Sequence, residues 1–368
     1  MSSPEQTVQA SQTIQAVYDL KRLFTLRESV QTFDPSAPPS VRLLAPSPPD
    51  SSVGPFSRVG ILCGSFNPLT RAHTELAGQV CKAWYLDQVF LSLAKVTVDK
   101  EQLSGMSLED RLLLLSLYAE RHPNISIALV NRGLYVEQAQ AFRAVCGAHT
   151  QLFFLTGMDK LLQILDARYY QDRDAALDEL FGLAELIVAN RGAFSHTEFT
   201  HLLEQPENQT FRPAIHFFPL TDVSPAPDSS QDSSDLSSPL RNLHNLNDLS
   251  ATAMRDVLAT GVAGASGASI AEHVPPETVQ FVSEAQVYRP PLSLSQSGEA
   301  IDVYSIRVAL IELLYSVRSW VEHAEHQVDF RHVLQHALAD DPTGYALRHA
   351  RPTLPRHKII ALLRSCLD

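Results

Sequence analysis

Only four cysteines occur in the chain, at positions 63, 81, 146 and 366, and no two of them form a CxxC pair. A disulfide framework or a cysteine zinc site needs sulfurs at close, patterned spacing, so neither is expected and the thiols read as ordinary reduced residues. No stretch reaches the roughly 18 apolar residues that a membrane span requires. The opening residues, MSSPEQTVQA, lack the basic and then apolar order of a secretion signal. Together these absences give the expectation of a cytoplasmic protein with no membrane partner. Clustered basic residues are missing too: 29 Lys and Arg stand against 41 Asp and Glu, a formal net charge of -12. Proteins that coat nucleic acid neutralise many phosphates with grouped cations, so no nucleic-acid partner is expected. A small anionic ligand needs only a few cations in the right places.

What is present is enough apolar material for a large core, 45% of 368 residues, which predicts one main domain with appendages. Helix-like spacing of Val8, Ile14, Val17, Leu20 and Leu23 is followed by a Pro- and Ser-rich stretch from Asp34 to Ser57, so residues 1–57 read as a helical arm on a linker. From Arg58 onward short apolar runs alternate with longer amphipathic segments, the pattern of βαβ units around a parallel sheet. Strands are expected at Val59–Cys63, Gln88–Leu93, Ile125–Val130, Leu152–Leu155, Leu186–Ala189 and Ile215–Phe218. Most are continuously apolar, as strands are when helices cover both faces of the sheet. Helices are expected at Thr70–Tyr85, Ser107–Arg121, Val136–Val145 and Lys160–Leu165, then at Thr252–Leu258 and from near Pro275. Residues 222–240, mostly Ser, Asp and Pro, read as a mobile loop inside a domain spanning 58–291. Residues 302–368 read as a helical extension, with Ile306, Leu310, Leu313, Val317, Trp320 and Val321 on one face. Six of the 14 histidines lie in that extension, and their spacing is read as a solvated helical face rather than a metal site.

The segment Val59-Gly-Ile-Leu-Cys-Gly-Ser-Phe-Asn-Pro-Leu-Thr-Arg-Ala-His73 runs from an apolar strand through a glycine turn into a helix. Ligands collect at the carboxyl ends of parallel strands, and free N–H groups at a helix start favour phosphate, so the segment predicts an anion site. Gly64 would allow close backbone approach, Pro68 would fix the turn, and Thr70 and His73 stand one helical turn apart on the same side. The plain alternative is a turn that merely contains Gly, Pro and His. Its position between strand and helix favours the site.

The order of these residues resembles the G-x-F-x-P-x-[HT]-x-x-H signature of the nucleotidyltransferase superfamily that contains the nicotinamide and nicotinate mononucleotide adenylyltransferases. Over residues 58 to 290 the resemblance implies a Rossmann-like doubly wound parallel sheet, the nucleotidyltransferase fold, here with a helical C-terminal extension. Leu249-Ser-Ala-Thr-Ala-Met-Arg255 resembles the family's I-S-S-T-x-[IVM]-R segment, and Leu155-Thr-Gly157-Met-Asp159 its G-x-D element near the ribose. Asp166-Ala-Arg-Tyr-Tyr170 and Glu185-Leu-Ile-Val-Ala-Asn-Arg191 are also similar, the second lying beside the adenine in relatives. The implied ATP-binding residues are Gly64, Ser65, Phe66, His73, Gly157, Asp159, Asn190, Arg191, Ser250, Thr252 and Arg255. His73, Thr70 and Arg255 would be the catalytic ones. Lys95 and Lys100, after the second strand, and Asn131, Arg132 and Tyr135, at the end of the third, are candidates for the acceptor pocket. Arg111, at the start of the next helix, reads as a surface cation.

The resemblance implies that an acceptor phosphate attacks the α-phosphorus of ATP and that pyrophosphate leaves. Mg2+ would accompany ATP, and no protein side chains are expected to hold it on their own. No protein nucleophile is needed. Nicotinamide mononucleotide is the first expectation for the acceptor and nicotinate mononucleotide the second, with phosphopantetheine behind them. A class I aminoacyl-tRNA synthetase would need a Lys-rich K-M-S-K-S loop, which is not found. The alternative of a different class is a catalytically inactive nucleotide-binding module. The partners expected are ATP and a small phosphorylated acceptor, with the extension as a surface for forming a homo-oligomer.

Overall fold

In the computed structural model, the residues described are 17–44, 56–96, 105–190, 195–221, 273–288, 292–293, 300–316 and 318. Helix α1 (Leu20–Gln31) is followed by strand β1 (Val41–Leu44), strand β2 (Arg58–Cys63), helix α2 (Arg71–Ala83) and strand β3 (Gln88–Ala94). Helix α3 (Leu108–Ala119), strand β4 (Ile125–Val130), helix α4 (Tyr135–Cys146), strand β5 (Gln151–Gly157) and helix α5 (Met158–Leu165) continue the alternation. Then come helix α6 (Arg173–Leu183), strand β6 (Glu185–Ala189), helix α7 (His196–Glu204) and strand β7 (Ile215–Phe218). Helix α8 (Pro276–Ala285), a two-residue ladder between β8 (Leu292–Ser293) and β9 (Ala300–Ile301), and helix α9 (Val303–Ser316) complete the described chain.

The sheet has seven strands in the order β1-β4-β3-β2-β5-β6-β7. Six are parallel and follow the doubly wound order, stepping outward from β2 through β3 to β4 and then from β5 through β6 to β7. The strand order therefore reverses between β2 and β5, and ligands bind outside the carboxyl ends of strands at such a switch point. Alternate residues of each strand feed opposite faces. Leu62, Phe153, Leu155 and Ile187 join one apolar cluster, while Val59, Ile61, Leu152, Phe154, Leu186 and Val188 join the other. Both faces are covered, which is why the strands read as unbroken apolar runs.

Described segments on either side of the expected 58–291 domain pack on its sheet and core. Residues 1–57 were expected as an arm on a linker. Within that range α1 buries Leu20, Leu23, Phe24 and Leu26 in the first cluster, and β1 joins the sheet antiparallel to β4, with Val41 opposite Val130. The physical tie is Arg42, whose guanidinium donates to Ser29 O at 2.8 Å and to Thr32 Oγ1 at 2.7 Å and lies 4.6 Å from the centre of the Phe33 ring. Helix α9, in the expected C-terminal extension, places Tyr304, Leu310, Ile311 and Leu314 in the same core cluster as α1, α2 and α3. Helices α6 and α7 were not read from the sequence. The expected loop at 222–240, the helix at Thr252–Leu258 and the histidines of the tail lie outside the described residues. Among the described residues, no helix is long and apolar enough to cross a membrane.

Candidate active site

After β2 the chain makes a tight turn before α2, and the turn is gripped from several directions. Gly64 N–H donates to Ser92 O at 3.2 Å, tying it to the end of β3. Phe66 holds a φ of 42°, and its buried ring meets the His73 ring edge to face at 5.1 Å between centroids. A Cβ on Gly64 would come within 3.1 Å of that ring. Glycine here clears Phe66, a requirement set inside the protein as well as by any ligand. The Asn67–Pro68 peptide is cis. Asn67 is fully buried, and its Oδ1 accepts from Met106 N–H at 3.0 Å and from the Tyr288 hydroxyl at 2.5 Å. The Thr278 hydroxyl donates to Leu69 O at 3.0 Å, and Arg71 N–H donates to His273 O at 2.9 Å.

At the start of α2, Thr70 N–H donates to His73 Nδ1 at 3.2 Å, and Thr70 Oγ1 lies 2.7 Å from the same nitrogen. A neutral imidazole that accepts at Nδ1 carries its proton on Nε2, so this arrangement selects the tautomer that can donate from its outer nitrogen. Thr70 is itself 1% exposed. Its hydroxyl lies against the His73 ring and helps to orient it.

Beside the turn lies a cavity of about 310 Å3 at the carboxyl ends of the strands. Cys63, Gly64 and Ser65 come to it from the turn, Ser92 to Ala94 from β3, Arg111 from α3, and Gly133 to Tyr135 with Gln138 from the start of α4. Lys160, Gln163, Ile164, Tyr169 and Tyr170 close the other side. Gln138 braces the floor: its Oε1 accepts from the Cys63 thiol at 3.2 Å and the Ser92 hydroxyl at 3.1 Å, and its Nε2 donates to Gly133 O at 3.1 Å. Burial pushes the Cys63 thiol up to about 12 and the Tyr135 phenol well above its ordinary value, so both stay neutral at physiological pH. No carboxylate lines the cavity among the described residues, whereas Arg111 and Lys160 do. Its electrostatics favour an anion.

Arg111 is 8% exposed. Its Nη1 donates to Ser65 O at 3.1 Å and its Nε to Ser107 O at 3.4 Å. Burial lowers its pKa, with Tyr288, Tyr304 and Glu109 opposing the shift. The turn of α3 that carries it is held from behind by Asp110, which is fully buried. Arg307 of α9 reaches Asp110 through Nη2 at 2.8 Å and Nε at 3.2 Å, and the Tyr304 hydroxyl adds a bond at 2.9 Å.

The sequence-derived site residues divide into three groups. Gly64, Ser65 and Tyr135 line the cavity, and Phe66, Thr70 and His73 stand beside it on the turn and α2. Gly157 caps α5, Asp159 is exposed in its first turn, and Asn190 ends β6, where its Oδ1 accepts from Leu220 N–H at 2.6 Å. All of these lie along the carboxyl edge of the sheet. Lys95, Asn131 and Arg132, expected as acceptor candidates, are not among the residues that line this cavity. Lys95 Nζ donates to Phe33 O at 2.7 Å. Asn131 Nδ2 donates to Asp34 O, Ala37 O and Pro38 O at 3.0 to 3.2 Å, and Arg132 donates to Ala37 O at 3.0 Å and Ser36 O at 3.2 Å. The loop joining α1 to β1 leaves a row of carbonyls that need donors, and these three side chains supply them. Lys100, Arg191, Ser250, Thr252 and Arg255 lie outside the described residues. Arg111, Gln138 and Lys160 were not assigned to the site from sequence, and Tyr169 and Tyr170 were read only as part of a similar segment.

A family model described as cytidylyltransferase-like matches residues 61–257, more than half of the chain. The chain belongs to the cytidylyltransferase-like family. It is accordingly a nucleotidyltransferase. Among proteins similar to this member of the family is a probable nicotinate-nucleotide adenylyltransferase from Salinispora tropica, 31% identical over 136 residues that make up 36% of this chain and 69% of that protein. A protein of the same name from Bordetella pertussis is 34% identical over 137 residues, 37% of this chain and 65% of its own length. Among solved structures, the nicotinic acid mononucleotide adenylyltransferase of Plasmodium falciparum complexed with NaAD is 14% identical, with a TM-score of 0.42 over 63% of this chain and 97% of that one.

Proposed function

We propose that the protein transfers the AMP part of ATP to the phosphate of nicotinate mononucleotide and releases pyrophosphate. The observation that carries this reading is the His73 arrangement: Nδ1 accepts the Thr70 N–H at 3.2 Å, so Nε2 can donate to phosphate at a helix start beside a cavity without carboxylates. The names of the similar bacterial proteins favour the nicotinate over the nicotinamide form of the acceptor, reversing the order expected from the Thr-x-x-His motif.

An acceptor phosphate oxygen attacks the α-phosphorus in line, and the bond to the pyrophosphate oxygen breaks. Catalysis is then positioning and charge stabilisation, without a covalent enzyme intermediate. His73 donates to the charge developing on the α-phosphate, with the backbone N–H groups of Ser65 and Phe66 as further donors. By resemblance, Arg255 with Ser250 and Thr252 holds the β and γ phosphates, Gly157 and Asp159 stand near the ribose, and Asn190 and Arg191 beside the adenine. The donors at the turn are N–H groups, a hydroxyl and an imidazole, a set suited to phosphate rather than to a bare cation. Mg2+ would come with ATP and would supply charge neutralisation on the phosphates.

The test is pyrophosphate release from ATP and Mg2+ with nicotinate mononucleotide, nicotinamide mononucleotide and phosphopantetheine offered separately. Release with nicotinate mononucleotide is expected. Release with nicotinamide mononucleotide alone overturns the acceptor, and release with none of the three overturns the reading. His73→Ala should lower turnover on the order of 100-fold or more, as removal of one such donor does elsewhere. A variant with undiminished turnover and a wild-type melt would remove His73 from the reaction.

A further inference from the structure

We propose that Arg111 receives the phosphate of the acceptor nucleotide and holds it against the Gly64–Ser65 turn, an assignment that rests on the adenylyl-transfer reading above. Three observations converge on it. Arg111 is nearly buried, yet among the described residues no carboxylate lies within ion-pair distance of it; its bonds go to two neutral carbonyls, Ser65 O and Ser107 O. By contrast the buried Arg307 is matched by Asp110, and Arg27 by Glu109 and Glu312. A guanidinium taken out of water without a counter-ion is unfavourable, and a bound anion relieves it.

The second observation is direction. Nε and Nη1 are engaged with the protein, while Nη2 has no hydrogen-bond partner among the described residues and is not sealed from solvent. Arg111 lines the cavity, and Nη2 is its one nitrogen without a protein hydrogen bond among the described residues. The Asp110 carboxylate, clamped by Arg307 and Tyr304, fixes the same helical turn from the opposite side. The fork is therefore held in place before a ligand arrives.

The third is location. Gly64, Ser65 and Arg111 line the cavity and His73 does not, so a phosphate held at His73 and one held by Arg111 would meet at the Gly64–Ser65 turn. A volume of about 310 Å3 walled partly by Tyr135, Tyr169 and Tyr170 suits a mononucleotide with a flat ring better than a nucleoside triphosphate. In the reaction, an oxygen of the Arg111-bound phosphate forms the new bond to the α-phosphorus, and the bond to pyrophosphate breaks with its electron pair leaving on that group. Arg111 keeps its protons throughout. It offsets the repulsion between two phosphates brought to reacting distance.

The experiment compares the wild-type full chain with Arg111→Gln and Arg111→Lys. For Arg111→Gln the KM for nicotinate mononucleotide should rise about 10- to 100-fold, the loss typical of one charge-assisted contact, while the KM for ATP stays within about threefold. Arg111→Lys keeps the charge but loses the fork, and should show a smaller rise in the same constant. If Arg111→Gln does not fold, the Arg111→Lys value decides. Equal changes in both KM values, or an unchanged acceptor KM, overturn the assignment while leaving the adenylyl-transfer reading intact. Saturating inorganic phosphate should raise the melting temperature of the wild type and not that of Arg111→Gln. That arm does not depend on which acceptor is used, so it still judges Arg111 if no pyridine nucleotide is adenylylated. An equal rise in both proteins, or none in the wild type, refutes the anion site.

Discussion

At Gly64 the added methyl of an alanine would sit 3.1 Å from the Phe66 ring, a ring already held at a φ of 42° and packed edge to face on His73. Something must move, and the ring that moves is the one supporting the imidazole. Gly64→Ala should destabilise the fold by about 1–3 kcal/mol, the usual range for overpacking, and should lower kcat/KM through the displaced His73. Urea unfolding with steady-state kinetics checks both; an alanine variant with wild-type stability and turnover would show that the ring has room to yield. The glycine, proline, threonine and histidine of this turn were legible because their types and spacing carry the geometry. Arg111 was not, since an arginine in the first turns of a helix looks the same in sequence whether it faces water or a cavity. Lys95, Asn131 and Arg132 are ambiguous in sequence for a related reason. Polar residues at the end of a parallel strand can serve a ligand or a neighbouring loop, and nothing local distinguishes the two.

Among the elements, the strands from β2 to β7 were found within a residue or two at either end, because strands buried on both faces leave an unbroken apolar signature. Strand β1 was hidden: it has four residues, Val41–Leu44, in a Pro- and Ser-rich surrounding, and only pairing with β4 makes it a strand. Helix α6 escaped because it buries only Leu177 and Leu180, too few to set a stripe. Helix α9 shows the limit most clearly. Its periodicity was visible, but its attachment depends on the Arg307–Asp110 pair, whose partners are 197 residues apart in sequence. Arg307→Met would leave the Asp110 carboxylate buried with only the Tyr304 hydroxyl beside it, so a loss of about 3–5 kcal/mol in unfolding free energy is expected. Adding Asp110→Leu should restore much of that loss, since an apolar pair of similar size is often tolerated. If the single variant unfolds at the wild-type denaturant midpoint, the pair is not what holds the helix.

For the molecule as a whole, burial of neutral acids predicts how stability responds to alkali. Burial pushes Cys63, Tyr118 and Tyr170 up to about 12 and Cys146 up to about 11, from ordinary values of 9.0 for a thiol and 10.0 for a phenol. The unfolded chain therefore loses these protons first as pH rises. Their contribution to stability is fully present below about pH 9 and is lost as pH climbs toward about 12. The urea midpoint should be lower at about pH 10.5 than at about pH 8, and a midpoint that does not fall would mean that these groups are more solvated than their positions suggest.

The first and last described helices meet on the same layer: Arg307 donates to Val17 O at 2.9 Å, a contact between residues 290 apart, and Tyr288 reaches Asn67 inside the turn. Such long-range closures are late events for a chain that emerges from its N-terminus onward. The nucleotide turn can thus be synthesised long before it can be braced. A ribosome-bound chain ending ahead of His273 has the motif but lacks its bonds to His273, Thr278 and Tyr288. The turn therefore gains its full bracing only after more than two hundred further residues have been made.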